Sequence, residues 1–93
     1  MIYVVVTYDI ANDRRRLRVM KMLEGYGQHV QESVFDCHLK PSVYREMLRR
    51  LRQLIDARSD NVRLYFLCRA DVARIRCLGL GEAARTQPHS VII

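Results

Sequence analysis

The chain reads as one α+β domain with the element order β-α-β-β-α-β and a further strand at its end. Three observations predict this. A β-branched and aromatic run opens the chain, two later stretches carry the three-and-four apolar spacing of helices, and alternating apolar segments stand between and after them. That order matches a ferredoxin-like arrangement, one antiparallel sheet with two helices on one face.

Ile2–Asp9 is almost continuously apolar (Ile2, Tyr3, Val4, Val5, Val6, Thr7, Tyr8), as a central and largely covered strand is. Ile10-Ala11-Asn12 breaks it, and Asn12 or Asp13 can cap a helix by accepting from first-turn amides. The spacing of Leu17, Met20 and Leu23 predicts a helix to about Tyr26, with Gly27 as its left-handed end. His29–Leu39 alternates (Val30, then Val34, Phe35, Cys37, Leu39) and is read as two short strands turning near Glu32-Ser33; one bent strand is the alternative. Lys40-Pro41-Ser42 supplies a turn and an N-cap. A second helix is expected to about Asp56, with Val43, Met47, Leu51, Leu54 and Ile55 inward and Arg45, Arg49 and Arg52 outward.

Ser59-Asp60-Asn61 is a loop, and Val62–Cys68 alternates as a strand. Arg69–Gln87 carries no clear pattern, and Gly79 and Gly81 argue against a long helix there. Ser90-Val91-Ile92-Ile93, after Pro88, reads as a terminal strand. Residues 1–93 are thus expected to form a single domain.

The chain has 93 residues, 16 Lys+Arg against 10 Asp+Glu, a net charge of +6 and a sequence pI of about 9.7. No apolar run approaches the ~20 residues of a membrane helix, so no membrane partner is expected. The opening residues lack a basic n-region and meet Asp9 too early for a signal peptide. Cys37, Cys68 and Cys77 have neither zinc-site nor disulfide-framework spacing. They read as small hydrophobes in a reducing, cytoplasmic setting. The positive excess fits either a polyanion partner or plain solubility.

Asp9 is the most informative residue. It ends an apolar strand where the chain leaves the sheet, and two readings stand side by side. It can cap the helix or hold the turn, or it can ligate a hard cation such as Mg²⁺ or Mn²⁺. A lone carboxylate is a poor metal site, and a two-fold dimer would supply the second. Arg14, Arg15, Arg16, Arg18 and Lys21 crowd the first turns of the next helix, where cations oppose the macrodipole. That misplacement favours contact with phosphates over a merely solvated face. Arg45, Arg49, Arg50 and Arg52 form a possible second stripe. His29, His38 and His89 lack metal-ligand spacing, and Gly79-Leu80-Gly81 is no phosphate-binding fingerprint.

With these residues in view, the chain resembles the CRISPR-associated protein 2 family, the small partner of the CRISPR adaptation integrase. The resemblance rests on Val5-Val6-Thr7-Tyr8-Asp9-Ile10, the cluster at 14–17, Tyr26-Gly27-Gln28-His29-Val30-Gln31-Glu32-Ser33-Val34-Phe35-Asp36-Cys37 and Arg63-Leu64-Tyr65-Phe66-Leu67. It implies a ferredoxin-like homodimer in which residues 88–93 add a strand to the partner's sheet. It implies that Asp9 faces its symmetry mate and binds magnesium, surrounded by Tyr8, Arg16, Arg18, Ser33 and Phe35, of which Tyr8, Ser33 and Phe35 join Asp9 in a catalytic set. It also implies an activity in antiviral defence, as a metal-dependent endonuclease on RNA or DNA and as a bridge for the integrase in spacer acquisition. One departure is visible: many members carry Arg where this chain has His29.

Three functional readings follow. In the first, paired Asp9 carboxylates hold a hydrated metal while Arg16 and Arg18 clamp phosphates. In the second, the chain is a non-catalytic adaptor that holds the RNA or DNA backbone. The third, outside the family, is a generic ferredoxin-like RNA-binding module or a related toxin-type ribonuclease.

Overall fold

The structure is a computed structural model that describes residues 1–79 and the backbone of 91–92. Strand β1 (Ile2–Asp9) is followed by helix α1 (Asp13–Leu23), strands β2 (Gly27–Gln31) and β3 (Val34–Leu39), helix α2 (Pro41–Leu54) and strand β4 (Asn61–Leu67). A short helix α3 (Arg69–Ala73), strand β5 (Arg76–Cys77) and strand β6 (Val91–Ile92) complete the order. The main sheet runs β2-β3-β1-β4 with every pairing antiparallel. This is the expected ferredoxin-like fold.

Strand alternation sorts the sheet into two faces. On one face Val4, Val6 and Tyr8 of β1 and Phe35, Cys37 and Leu39 of β3 are buried. They form one core with Val19, Met22 and Leu23 of α1 and Met47 and Leu51 of α2. Burying side chains of this size contributes roughly 1.5–3 kcal/mol each. Tyr3, Val5 and Thr7 alternate onto the opposite face, where they stay partly exposed, and Asp9 follows them there, opposite Asn61 in register.

Several local expectations are revised. Leu17 is 47% exposed, and the buried stripe of α1 is Val19, Met22 and Leu23. The helix carries two overlapping apolar registers, and its rotation against the sheet selects the second. Gly27 is the first residue of β2 and not a left-handed helix end. It is needed because a Cβ there would collide with the Asp36 carbonyl oxygen and sit 2.5 Å from Cys37 Sγ. Helix α2 starts at Pro41, where a missing N–H costs nothing, so Ser42 lies inside the first turn. The α2 helix ends at Leu54, short of Asp56.

The stretch without a clear pattern contains α3, whose start is fixed by the Cys68 backbone N–H and thiol donating to Asp71 Oδ2 at 3.1 and 3.0 Å. Strand β6 pairs in parallel with β5, Val91 opposite Arg76 and Ile92 opposite Cys77. The rest of the 88–93 segment, His89 and Gly81 lie outside the described residues. No helix among the described residues is long and apolar enough to cross a membrane.

Candidate functional site

The strand-end corner is built by β1, the β1–α1 loop and the β2–β3 turn. Asn12 caps α1: its Oδ1 accepts from the Arg15 N–H at 2.9 Å. The β2–β3 turn is tied to β1 by the Tyr8 N–H donating to the Ser33 carbonyl at 3.1 Å. The Glu32 carbonyl accepts twice, from the Tyr8 hydroxyl at 3.1 Å and from His29 Nε2 at 2.9 Å. A cleft of about 900 Å³ opens here, with Asp9, Asp13, Arg16, His29, Glu32 and Ser33 among its lining.

The nominated residues have different places in this corner. Asp9 is exposed, at the end of a rigid central strand, on the open side of the sheet. Tyr8 is 5% exposed and packs on the helix side, its ring 6.4 Å from that of Phe35. Burial pushes its hydroxyl above the ordinary value, against the pull of Arg16 and with a smaller push from Glu24. Phe35 is fully buried and carries the His29 ring stacked on it at 4.5 Å. Tyr8 and Phe35 therefore support the turn from inside the core. Ser33 lines the cleft, half-buried.

The basic run divides in the same way. Arg15 Nε and Nη2 donate to the two oxygens of Asp60 at 2.8 and 3.1 Å, and the Asp60 side chain is wholly buried. That pairing occupies Arg15 inside the fold. Arg16 braces the β1–α1 loop, donating to the Ile10 and Ala11 carbonyls at 3.0 and 3.4 Å and to Asp13 Oδ1 at 2.6 Å. Arg14, Arg18 and Lys21 are exposed and make no ion pair among the described residues. Sequence reasoning missed Asp60, which sits in a polar loop where nothing in the spacing points to a buried carboxylate. It also passed over the His29–Glu32 contact, which joins a strand to its own turn.

The donor set at the strand end is sparse. No group of three or more His, Cys, Asp or Glu able to hold a metal occurs among the described residues. Asp13 is paired with Arg16, while the carboxylates of Asp9, at the strand end, and Glu32, in the β2–β3 turn, make no ion pair among the described residues. A hard, hydrated cation such as Mg²⁺ takes one or two carboxylates and keeps several waters.

The fold and the corner define a small α+β protein whose ferredoxin-like sheet displays an exposed acid at the end of its central strand and exposed cations on the following helix. A family model described as CRISPR associated protein Cas2 matches residues 1–75. A CRISPR-associated endoribonuclease Cas2 1 of Chloroflexus aurantiacus is 41% identical over 92 residues, 98% of this chain and 99% of that protein. The crystal structure of Streptococcus pyogenes Cas2 superposes with a TM-score of 0.73 at 36% identity, covering 83% of this chain and 99% of that one. A chain of a partial Cas6-RT-Cas1–Cas2 complex gives a TM-score of 0.71 at 28% identity, covering 80% and 87%. This chain belongs to the CRISPR-associated Cas2 family.

Proposed function

We propose that two copies of this chain form a metal-dependent endonuclease of CRISPR adaptation that also serves as the partner of a Cas1 integrase in the cytoplasm. The observation that carries the reading is the placement of Asp9. It is an exposed carboxylate on the rigid end of the central strand, while the neighbouring Asp13, Tyr8 and Arg16 are held by contacts within the fold. The open sheet face with Tyr3, Val5 and the 49%-exposed Tyr65 is the surface for the second copy, whose Asp9 completes the pair of oxygen ligands. Held there, Mg²⁺ or Mn²⁺ would supply an activated water and charge stabilisation at a phosphodiester.

The chain's own residues do the rest. Asp9 supplies the ligand oxygen, Arg16 fixes the loop that carries it onward, and Tyr8 and Phe35 hold the β2–β3 turn that bounds the cleft. The nuclease names carried by relatives and the Cas1–Cas2 assembly of a neighbour support the reading. In the dimer, the β5–β6 ribbon is the element that reaches the partner's sheet.

Exposed Arg14, Arg18 and Lys21 favour a second role, holding a nucleic-acid backbone without reading bases. The test of the first role is cleavage of single-stranded RNA and double-stranded DNA with and without Mg²⁺. Wild type cleaves at least one of them only with the metal, and Asp9→Ala does not while remaining dimeric. Equal cleavage by the variant removes the catalytic reading and leaves the binding one.

A further inference from the structure

We infer that the outward face of helix α2 is a second tract for the duplex backbone, formed by Arg45, Arg49 and Arg52. The inference rests on the nucleic-acid-binding reading above and extends it to a helix outside the strand-end site. These residues stand at i, i+4 and i+7, so they line one side of the helix over about 10.5 Å. All three are exposed. Like charges at these spacings destabilise an isolated helix, and Glu46 is the single acid within Pro41–Leu54 to offset them. Neither ion pair among the described residues involves α2.

The neighbouring Arg50 has a different job. Its Nη1 donates to the Tyr26 hydroxyl at 2.9 Å, and its guanidinium carbon lies 5.5 Å from that ring's centroid. The three remaining arginines form a row of cations with no ion pair or side-chain hydrogen bond among the described residues.

The chemistry of this face selects a polyanion over a protein. Protein interfaces carry apolar anchors at their centre. The large exposed hydrophobics among the described residues are Met1, Leu17, Tyr65, Phe66 and Leu78, none of them on α2. Phosphates of one duplex strand recur at about 3.4 Å along the axis, so the row spans about three of them. Helices α1 and α2 pack on the same side of the sheet. The row therefore shares a layer with Arg14, Arg18 and Lys21, and one duplex can lie over both.

The experiment is fluorescence anisotropy of the intact protein with a labelled 30-base-pair duplex across a salt series. One variant is Arg45→Gln/Arg49→Gln/Arg52→Gln and a second is Arg14→Gln/Arg18→Gln/Lys21→Gln. Each lost phosphate contact removes about 0.9 from the slope of log K against log salt. The α2 variant should therefore lose about 2.7 per chain touching the duplex, with its melting temperature kept. The matching triple Lys variant of α2, which restores the charges, should recover the slope. An unchanged slope in the α2 triple Gln variant, with the slope lost in the α1 variant, overturns this inference and leaves the binding reading intact. No binding by wild type overturns both. Intact DNA binding with lost Cas1 association assigns the row to a protein partner and also overturns it. Should the triple variant fail to fold, Arg49→Gln alone must lower the slope by about 0.9.

Discussion

Arg15 and Asp60 close a bidentate ion pair between the first turn of α1 and the α2–β4 loop, at 2.8 and 3.1 Å. Asp60 Oδ2 also accepts the Asp56 N–H at 2.8 Å, and Arg15 Nη2 reaches Ser59 Oγ at 3.3 Å. A single guanidinium thus locks the helix that follows Asp9 to the far end of α2. The Arg15 hydrogen bonds, then the Asp56 amide, hold the Asp60 carboxyl below its usual range.

The first prediction concerns stability against pH. Because the folded-state pKa of Asp60 is depressed, its contribution is present above the ordinary carboxylate pKa of about 3.9 and is lost as pH falls through the lower folded value. Asp60→Asn and Arg15→Ala should both melt below wild type at pH 7. The gap between wild type and Asp60→Asn should shrink on acidification below about pH 4. Thermal melts followed by circular dichroism from pH 7 to pH 2 check this, and a gap that widens in acid would contradict it.

Gly27 gives a steric prediction. A methyl group at that position meets the Asp36 backbone and Cys37 Sγ, both held inside the sheet. Gly27→Ala should cost about 1–3 kcal/mol, as overpacking does. Gly25, whose added Cβ would come no closer than 3.4 Å to the Met22 carbonyl oxygen, should accept Ala with little change. Urea unfolding of the two variants separates them.

The Tyr8 hydroxyl spends its proton on the Glu32 carbonyl. Tyr8→Phe should therefore cost about 0.5–1.5 kcal/mol, the worth of one hydrogen bond, and leave metal-dependent cleavage within a few-fold of wild type. A loss of cleavage as deep as that of Asp9→Ala, in a variant still folded, would make Tyr8 a catalytic residue.

Phe35 makes the same distinction from the core side. Its ring is fully buried beneath His29. Phe35→Ala should lose about 3–5 kcal/mol, whereas Phe35→Leu should keep activity at temperatures where it is folded. Parallel melts and cleavage assays on the two variants decide this.

Much of the fold is legible in the residues because burial and periodicity agree. Ile2–Asp9 is apolar on both faces and becomes a central strand paired on both sides. Met47 and Leu51 keep helical spacing and become core. Legibility ends where two registers compete or where a long-range partner decides. Leu17 and Val19 both belong to plausible stripes, and the packing against β1 and β3 selects Val19. Gly27 reads as a helix stop, yet the demand comes from the strand beside it, ten residues along the chain at Cys37. The prominence of Asp9 was visible from its place after an apolar run. The division of the basic cluster was not, because Asp60 lies 45 residues from Arg15.

Asp9 of one chain is proposed as half of a divalent-cation site. Its most direct measurement is Mn²⁺ binding to the purified protein by electron paramagnetic resonance, with oligomeric state checked by light scattering. Wild type should bind one ion per two chains, and a still-dimeric Asp9→Asn should bind none at the same concentrations. One ion per chain, or an undiminished signal in Asp9→Asn, would contradict it.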